Sequence, residues 1–216
     1  MSLAPLGKSF MLTLPLLAAG LIQASAQAGE VYVTGAAGFN APTSRSNTGD
    51  LGTFTERSLP GASTELGLGF DFGAMRLEAT YALDASRLDN YTSVNDVTFD
   101  YISGGDVRKQ SAFVSGYWDV LQNKGWTPYV GAGVGYSNLD VRSFAEPGLS
   151  YGGFNRSLLG YQLKAGVSID VNARSNLFLE GVYRGTSGFE TNDGFNDWNN
   201  ASYASWGGQL GVRIGL

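Results

Sequence analysis

The sequence predicts an all-β fold in which eight antiparallel strands close up-and-down into a barrel. Three observations point there. Eight segments alternate between an apolar parity and a polar or glycine-rich one, the two-residue period of a strand. Their connections alternate between short turns and long polar stretches. Within the strand cores every charged residue falls on one parity: Glu65, Asp71, Arg76, Glu78, Asp84, Asp119, Lys164, Asp170, Glu180, Arg184 and Arg213. Random placement would scatter these charges, so the two faces must meet different solvents.

The N-terminus gives the compartment. Lys8 precedes an apolar run over residues 10–22, which leads into Ala24-Ser25-Ala26-Gln27-Ala28. A basic start, a short apolar centre and an A-x-A site make a secretory signal peptide over residues 1–28. The run is shorter than the ~20 residues a spanning helix needs, and Pro15 interrupts it. A single barrel domain is expected over residues 29–216.

The strands follow in order. Residues 31–40 set Val33, Gly35, Ala37 and Phe39 against Tyr32, Thr34, Ala36 and Gly38. Residues 64–72 set Leu66, Leu68, Phe70 and Phe72 against Glu65, Gly67, Gly69 and Asp71. Gly73-Ala74 suits a two-residue type II′ hairpin, and the third strand, residues 75–84, answers with Leu77, Ala79, Tyr81 and Leu83 on its apolar parity. Residues 110–120 form the fourth strand. The fifth, residues 126–137, is the clearest: Val130, Ala132, Val134 and Tyr136 alternate with Tyr129, Gly131, Gly133, Gly135 and Ser137. One face is apolar and the other is almost bare, as the wall of a narrow barrel requires. Residues 159–171, 177–184 and 205–216 complete the set, and residues 41–62, 86–109, 139–156 and 186–203 read as four long loops.

Parity alone does not say which face is inside. A soluble periplasmic lipocalin-like barrel turns its apolar face inward around a ligand, whereas a membrane barrel turns it to lipid. The glycine-rich parity suits the crowded concave side. Aromatics gather at the strand ends: Phe70, Phe72, Trp118 and Trp126 by the short turns, and Tyr81, Tyr136, Tyr161, Tyr183 and Trp206 towards the long loops. Two such belts mark the two interfaces of a bilayer. The reading is therefore a transmembrane β-barrel with its charges in the lumen and its long loops outside the cell.

The segment Gly125-Trp126-Thr127-Pro128-Tyr129-Val130-Gly131-Ala132-Gly133-Val134-Gly135-Tyr136 resembles the central strand of the small outer-membrane β-barrel family. That family takes in opacity-type surface proteins, OmpA/OmpX-type barrels and "porin family" surface antigens. Residues 76–81 (R-L-E-A-T-Y) and 211–216 (G-V-R-I-G-L) also look like its strands, so the resemblance covers residues 29–216. The chain ends in Leu216, where such barrels usually carry an aromatic residue. The resemblance implies the outer membrane of a bacterium as the location. It further implies a surface role: envelope integrity, adhesion or surface antigen, with a narrow porin or gated channel as the alternative.

Composition narrows the chemistry. Charged residues make up only 15% of the chain, against about a quarter in an average soluble domain. There is no cysteine and no histidine, which removes disulfides, thiolate chemistry and any Ser-His-Asp arrangement. No enzyme activity, cofactor or metal is expected. A net charge of −5 argues against nucleic acid. The expected partners are the outer-membrane lipid bilayer and a host or neighbouring-cell surface met through the loops. Two sites follow. Glu65, Asp71, Arg76, Glu78, Lys164, Glu180, Arg184 and Arg213 form a lumen charge network, with Asp71 and Arg76 opposed across the first hairpin, because isolated buried ions are costly. Phe189, Phe195 and Trp198 stand out as aromatics on the acidic fourth loop and are the candidate surface contacts.

Overall fold

The computed structural model describes residues 29–49, 52–121, 125–146, 149–192, 197–200 and 202–216. Residues 1–28, where the sequence leads one to expect a signal peptide, lie outside the described residues. Eight strands build the wall: β1 Glu30–Pro42, β2 Gly52–Asp71, β3 Met75–Thr92, β4 Asp106–Asp119, β5 Trp126–Val141, β6 Phe154–Asn172, β7 Ser175–Thr186 and β8 Ala204–Gly215. Each pairs antiparallel with the next. β1 then returns to β8, with Val33 opposite Ile214 and Phe39 opposite Gly208. Closure pairs the backbone polar groups between strands, which a wall in lipid requires.

The first hairpin shows how locally this register is set. Asp71 pairs with Arg76, and the Phe72 amide donates to the Met75 carbonyl at 2.8 Å. Gly73 takes φ 99°, the positive value needed at the first central position of a type II′ turn. A register fixed here keeps Leu66, Leu68 and Leu77 on one face along both strands.

That face points outward. Leu66 is 69% exposed and Leu210 62%, while Glu65 and Arg184 on the other parity are 4% and 3% exposed. A ligand-holding soluble barrel would have the reverse arrangement. The inward glycines make room for rings: a Cβ at Gly131 would collide with Tyr117, and one at Gly69 with Tyr32.

The four stretches read from sequence as loops are largely strand. β2 begins at Gly52, β3 runs on to Thr92, β4 starts at Asp106, β5 reaches Val141 and β6 starts at Phe154. Short strands Arg45–Gly49, Thr98–Asp100, Ser103–Gly104, Phe144–Glu146, Leu149–Tyr151, Phe189–Asn192 and Asp197–Asn200 fill much of the rest. At ~3.3 Å per residue and a tilt of ~45°, the 20 residues of β2 rise roughly 45 Å, well beyond an apolar band ~25 Å tall. The wall therefore stands clear of the membrane on the long-loop side. There its polarity inverts. Leu88, Val107, Leu139, Val141, Leu158, Phe189 and Tyr203 pack together inside, with Tyr101, Phe144 and Phe154 against them. Arg108 and Asn155 are exposed on the outside. Water has replaced lipid as the outer solvent, so the hydrophobic effect now drives apolar groups inward.

Candidate functional site

Three connected layers of ions and hydrogen bonds fill the membrane-spanning lumen, and the apolar cluster closes them above. On the short-turn side, the Arg76 guanidinium sits between the rings of Tyr117 and Tyr129, 4.9 and 4.7 Å from their centroids. Its Nη2 donates to Asp119 at 2.8 Å, and its Nη1 lies 3.6 Å from Glu78. Tyr32 donates its hydroxyl to Glu78 at 2.7 Å. In the middle, Lys164 bridges Glu65 and Glu180, the latter at 3.0 Å, and Tyr129 donates to Glu180 at 3.0 Å. Arg184 reaches Glu65, and contacts Asp84 and the Ser63 hydroxyl, each at 3.0 Å. Nearest the apolar cluster, the Lys109 ammonium lies 3.4 Å from Asp84 and 5.2 Å from the centre of the Tyr203 ring.

The charges balance. Glu65, Glu78, Asp84, Asp119 and Glu180 face Arg76, Lys109, Lys164, Arg184 and Arg213, with each side chain held inside the wall. Charge-assisted bonds offset part of the large desolvation cost of such groups. The geometry can hold strands in place and exclude solvent. Above it, the Arg45–Glu56 pair is also buried, beside Asn47 and within hydrogen-bond reach of the Tyr101 hydroxyl, which donates to Glu56 at 3.2 Å. Burial, followed by the Glu56 charge, raises the Tyr101 pKa well above its ordinary value. Burial likewise pushes the Tyr203 phenol up to about 12.

Several sequence-predicted positions sit differently. Asp71 and Arg76 are register partners, but Arg76 turns to Asp119, and half-buried Asp71 instead accepts from the Gly73 amide at 2.7 Å. The Arg213 guanidinium has no carboxylate in ion-pair range among the described residues; it lies against the rings of Tyr32 and Phe178, at 5.1 and 5.8 Å. Asp170 is exposed at the short-turn rim, where Asn176 donates to it. Lys109 was missed because its segment reads as loop. Carrying the strand alternation Val107–Lys109–Ser111 backwards from Phe113 would have found it. Gln162 and Ser115, joined at 2.8 Å, complete the polar filling without any charge to flag them.

The predicted belt residues Phe72, Tyr81, Trp118, Trp126, Tyr136 and Trp206 are exposed on the outer wall, and Phe70, Tyr161 and Tyr183 are partly so. Tyr183 and Trp206 pack at 4.6 Å, and Phe70 and Phe72 at 4.6 Å, one pair near each end of the wall. Of the candidate loop contacts, Phe189 is not on the surface. It is 8% exposed, packed on Phe154 at 6.1 Å and under the Arg45 guanidinium. Strand pairing in that loop turns it into the apolar core. Phe195 and the Trp198 side chain lie outside the described residues.

Among solved structures, the chain is similar to Neisserial surface protein A, with 17% identity, a TM-score of 0.54, and 86% of this chain and 97% of that one covered. It also matches the outer membrane protease OmpT from Escherichia coli, with 8% identity, a TM-score of 0.49 and coverages of 87% and 97%. A third match is Ail, the attachment invasion locus protein of Yersinia pestis, in complex with the heparin analogue sucrose octasulfate. It has 13% identity, a TM-score of 0.38 and coverages of 86% and 99%. The likeness to Neisserial surface protein A speaks to fold alone. A comparison with curated proteins returned no match. A family model described as the outer membrane protein beta-barrel domain matches residues 12–213. With a closed wall, lipid-facing Leu, Tyr and Trp and charges held around the axis, the chain belongs to the outer membrane protein beta-barrel family of the bacterial outer membrane.

Proposed function

We propose that this barrel works at the cell surface through its structure and contacts, in envelope integrity, adhesion or as a surface antigen, and not by passing solutes. The observation that carries this reading is the filled lumen. Arg184 and Lys164 tie Glu65, Asp84 and Glu180 together across the axis, and the Leu88–Val107–Leu139–Phe189 cluster packs directly above. Eight strands leave an interior just wide enough for side chains. What then remains for contact with other molecules is the part of the wall that rises beyond the bilayer, the usual place for function on a rigid barrel. A host or neighbouring-cell surface is the partner proposed. No catalysis is assigned, because the chain has no histidine and these buried carboxylates sit against cations.

Planar-bilayer recording of the purified protein tests this. The expected result is no discrete conductance step in wild type. The balanced ions along the axis favour one other reading, a narrow gated pore, since lumen charges tune selectivity in barrels. Stable steps that change in Arg184→Ala or Glu180→Ala would establish that reading instead.

A further inference from the structure

We infer that the outer wall just above the upper belt holds a site for the uncharged saccharide headgroup of a membrane glycolipid, where β4, β5 and β6 meet the hairpin between residues 142 and 153. Register builds the site. Gln110, Asn138 and Ser157 lie in one row across the three strands, and Arg108, Asp140 and Asn155 in the next row up. All six are on the outward parity, since their chain neighbours Lys109, Leu139 and Leu158 are buried. Tyr136 of the belt, 56% exposed, lies two residues before Asn138 on β5. Beside the upper row is an open cavity of about 610 Å³ bounded by Asp140, Arg142, Ser143 and Asn155, together with Val141, Gly153 and Phe154. Small-ligand sites run from about 300 to 1,000 Å³. The hairpin crosses close to the wall here, because a Cβ at Gly153 would strike the Val141 carbonyl.

Sugar hydroxyls both donate and accept, so a saccharide needs both kinds of group, already oriented. Asn138 and Asn155 exchange amide hydrogen bonds at 2.7 and 2.9 Å, and Asn138 also donates to Ser157 at 3.2 Å. These bonds fix the Asn155 amide and leave it a second N–H and a second carbonyl lone pair. Arg108 and Asp140 face each other in register, yet among the described residues neither has an ion-pair partner. Asp140 therefore offers a free acceptor and Arg108 free donors. Arg142 reaches Asp106 only at 3.9 Å. A free carboxylate on the cavity wall works against a phosphate or sulfate, because like charges brought together are costly.

Height selects the source of the sugar. Asp140 is four residues beyond Tyr136, roughly 9 Å higher at the rise and tilt of a barrel strand. Phospholipid headgroups add only about 5–8 Å beyond the hydrocarbon on each side of a bilayer. A lipid seated beside Tyr136 reaches the cavity if its headgroup is larger, as one built of sugars is.

The test uses the full barrel in mild detergent, with native mass spectrometry counting the lipids it keeps. The probes are digalactosyl diacylglycerol, phosphatidylglycerol and phosphatidylcholine with matched chains. Wild type should keep the sugar lipid about tenfold more tightly than either phospholipid, the difference expected of one or two added hydrogen bonds. Asp140→Ala/Asn155→Ala should abolish that preference, and Arg174→Ala at the short-turn rim should leave it intact, with heat-modifiable mobility confirming that both variants fold. Equal retention of the three lipids overturns the inference, as does a preference that survives in the double variant. A preference for phosphatidylglycerol overturns it too, by marking a phosphate site. Binding of soluble digalactose without any preference among the lipids overturns the assignment to a membrane headgroup. The site goes beyond the surface role proposed above, and none of these outcomes touches the conductance measurement that tests that role.

Discussion

Arg76 binds Asp119 on β4 at 2.8 Å and leaves Asp71, its register partner on β2, to the turn. The link therefore joins β3 to β4 near their short-turn ends, and the Asp71–Arg76 register pair of the first hairpin carries no ion pair. Asp119→Asn should weaken folding by about 3 kcal/mol, since it removes the closer of the two carboxylates that a buried guanidinium meets, while Asp71→Asn should cost under about 1 kcal/mol. Urea titrations followed by heat-modifiable gel mobility would check the order. Equal effects would show that the pairing is not selective.

Lys164 is the only cation in contact with Glu180 among the described residues, and it shares Glu65 with Arg184. Lys164→Met should destabilise the barrel by about 3–5 kcal/mol by leaving buried carboxylate charge uncompensated. Adding Glu180→Gln should recover part of that loss, because the coupled change removes the orphaned charge. If the double variant is no more stable than the single, the two residues do not act as a pair.

Gly131 and Tyr117 occupy one volume from two strands. Gly131→Ala should cost about 1–3 kcal/mol through overpacking. In the background of Tyr117→Ala the same change should cost markedly less. A double-mutant cycle in detergent, read by unfolding midpoint, would expose any independence of the two sites.

Phe189 ties the segment after β7 into the apolar cluster beneath Arg45. Phe189→Ala should remove about 3 kcal/mol of local stability. Its effect should be confined to the part outside the membrane. Limited proteolysis should cut residues 187–203 faster, with the heat-modifiable shift retained. Unaltered cleavage would place Phe189 outside any cooperative core.

Trp118, Trp126 and Trp206 are exposed on the outer wall at belt level. In vesicles their fluorescence should be quenched by lipids brominated near the headgroup more than by lipids brominated near the chain end. Quenching by aqueous iodide instead would mean that this face meets water.

The sequence on its own determined the membrane-spanning part. Between the belts each side chain has one of two solvents, lipid or a packed polar axis, so a two-residue alternation such as Leu66–Gly67–Leu68–Gly69 carries both strand and facing. Tertiary structure decided the rest. Which carboxylate meets Arg76 or Arg184 depends on closure and on how the strands are staggered around the ring, and a linear pattern does not encode that. The wall above the bilayer escaped the same reading because its rule is reversed there: with water outside, Val107 and Leu139 turn inward while Arg108 and Asn155 turn out. Segments rich in Ser, Thr, Asn and Gly then look like loops until their pairing partners are known. Phe189 shows the difference most plainly, since only the meeting of β4, β5, β6 and its own short strand turns an aromatic on a polar stretch into core.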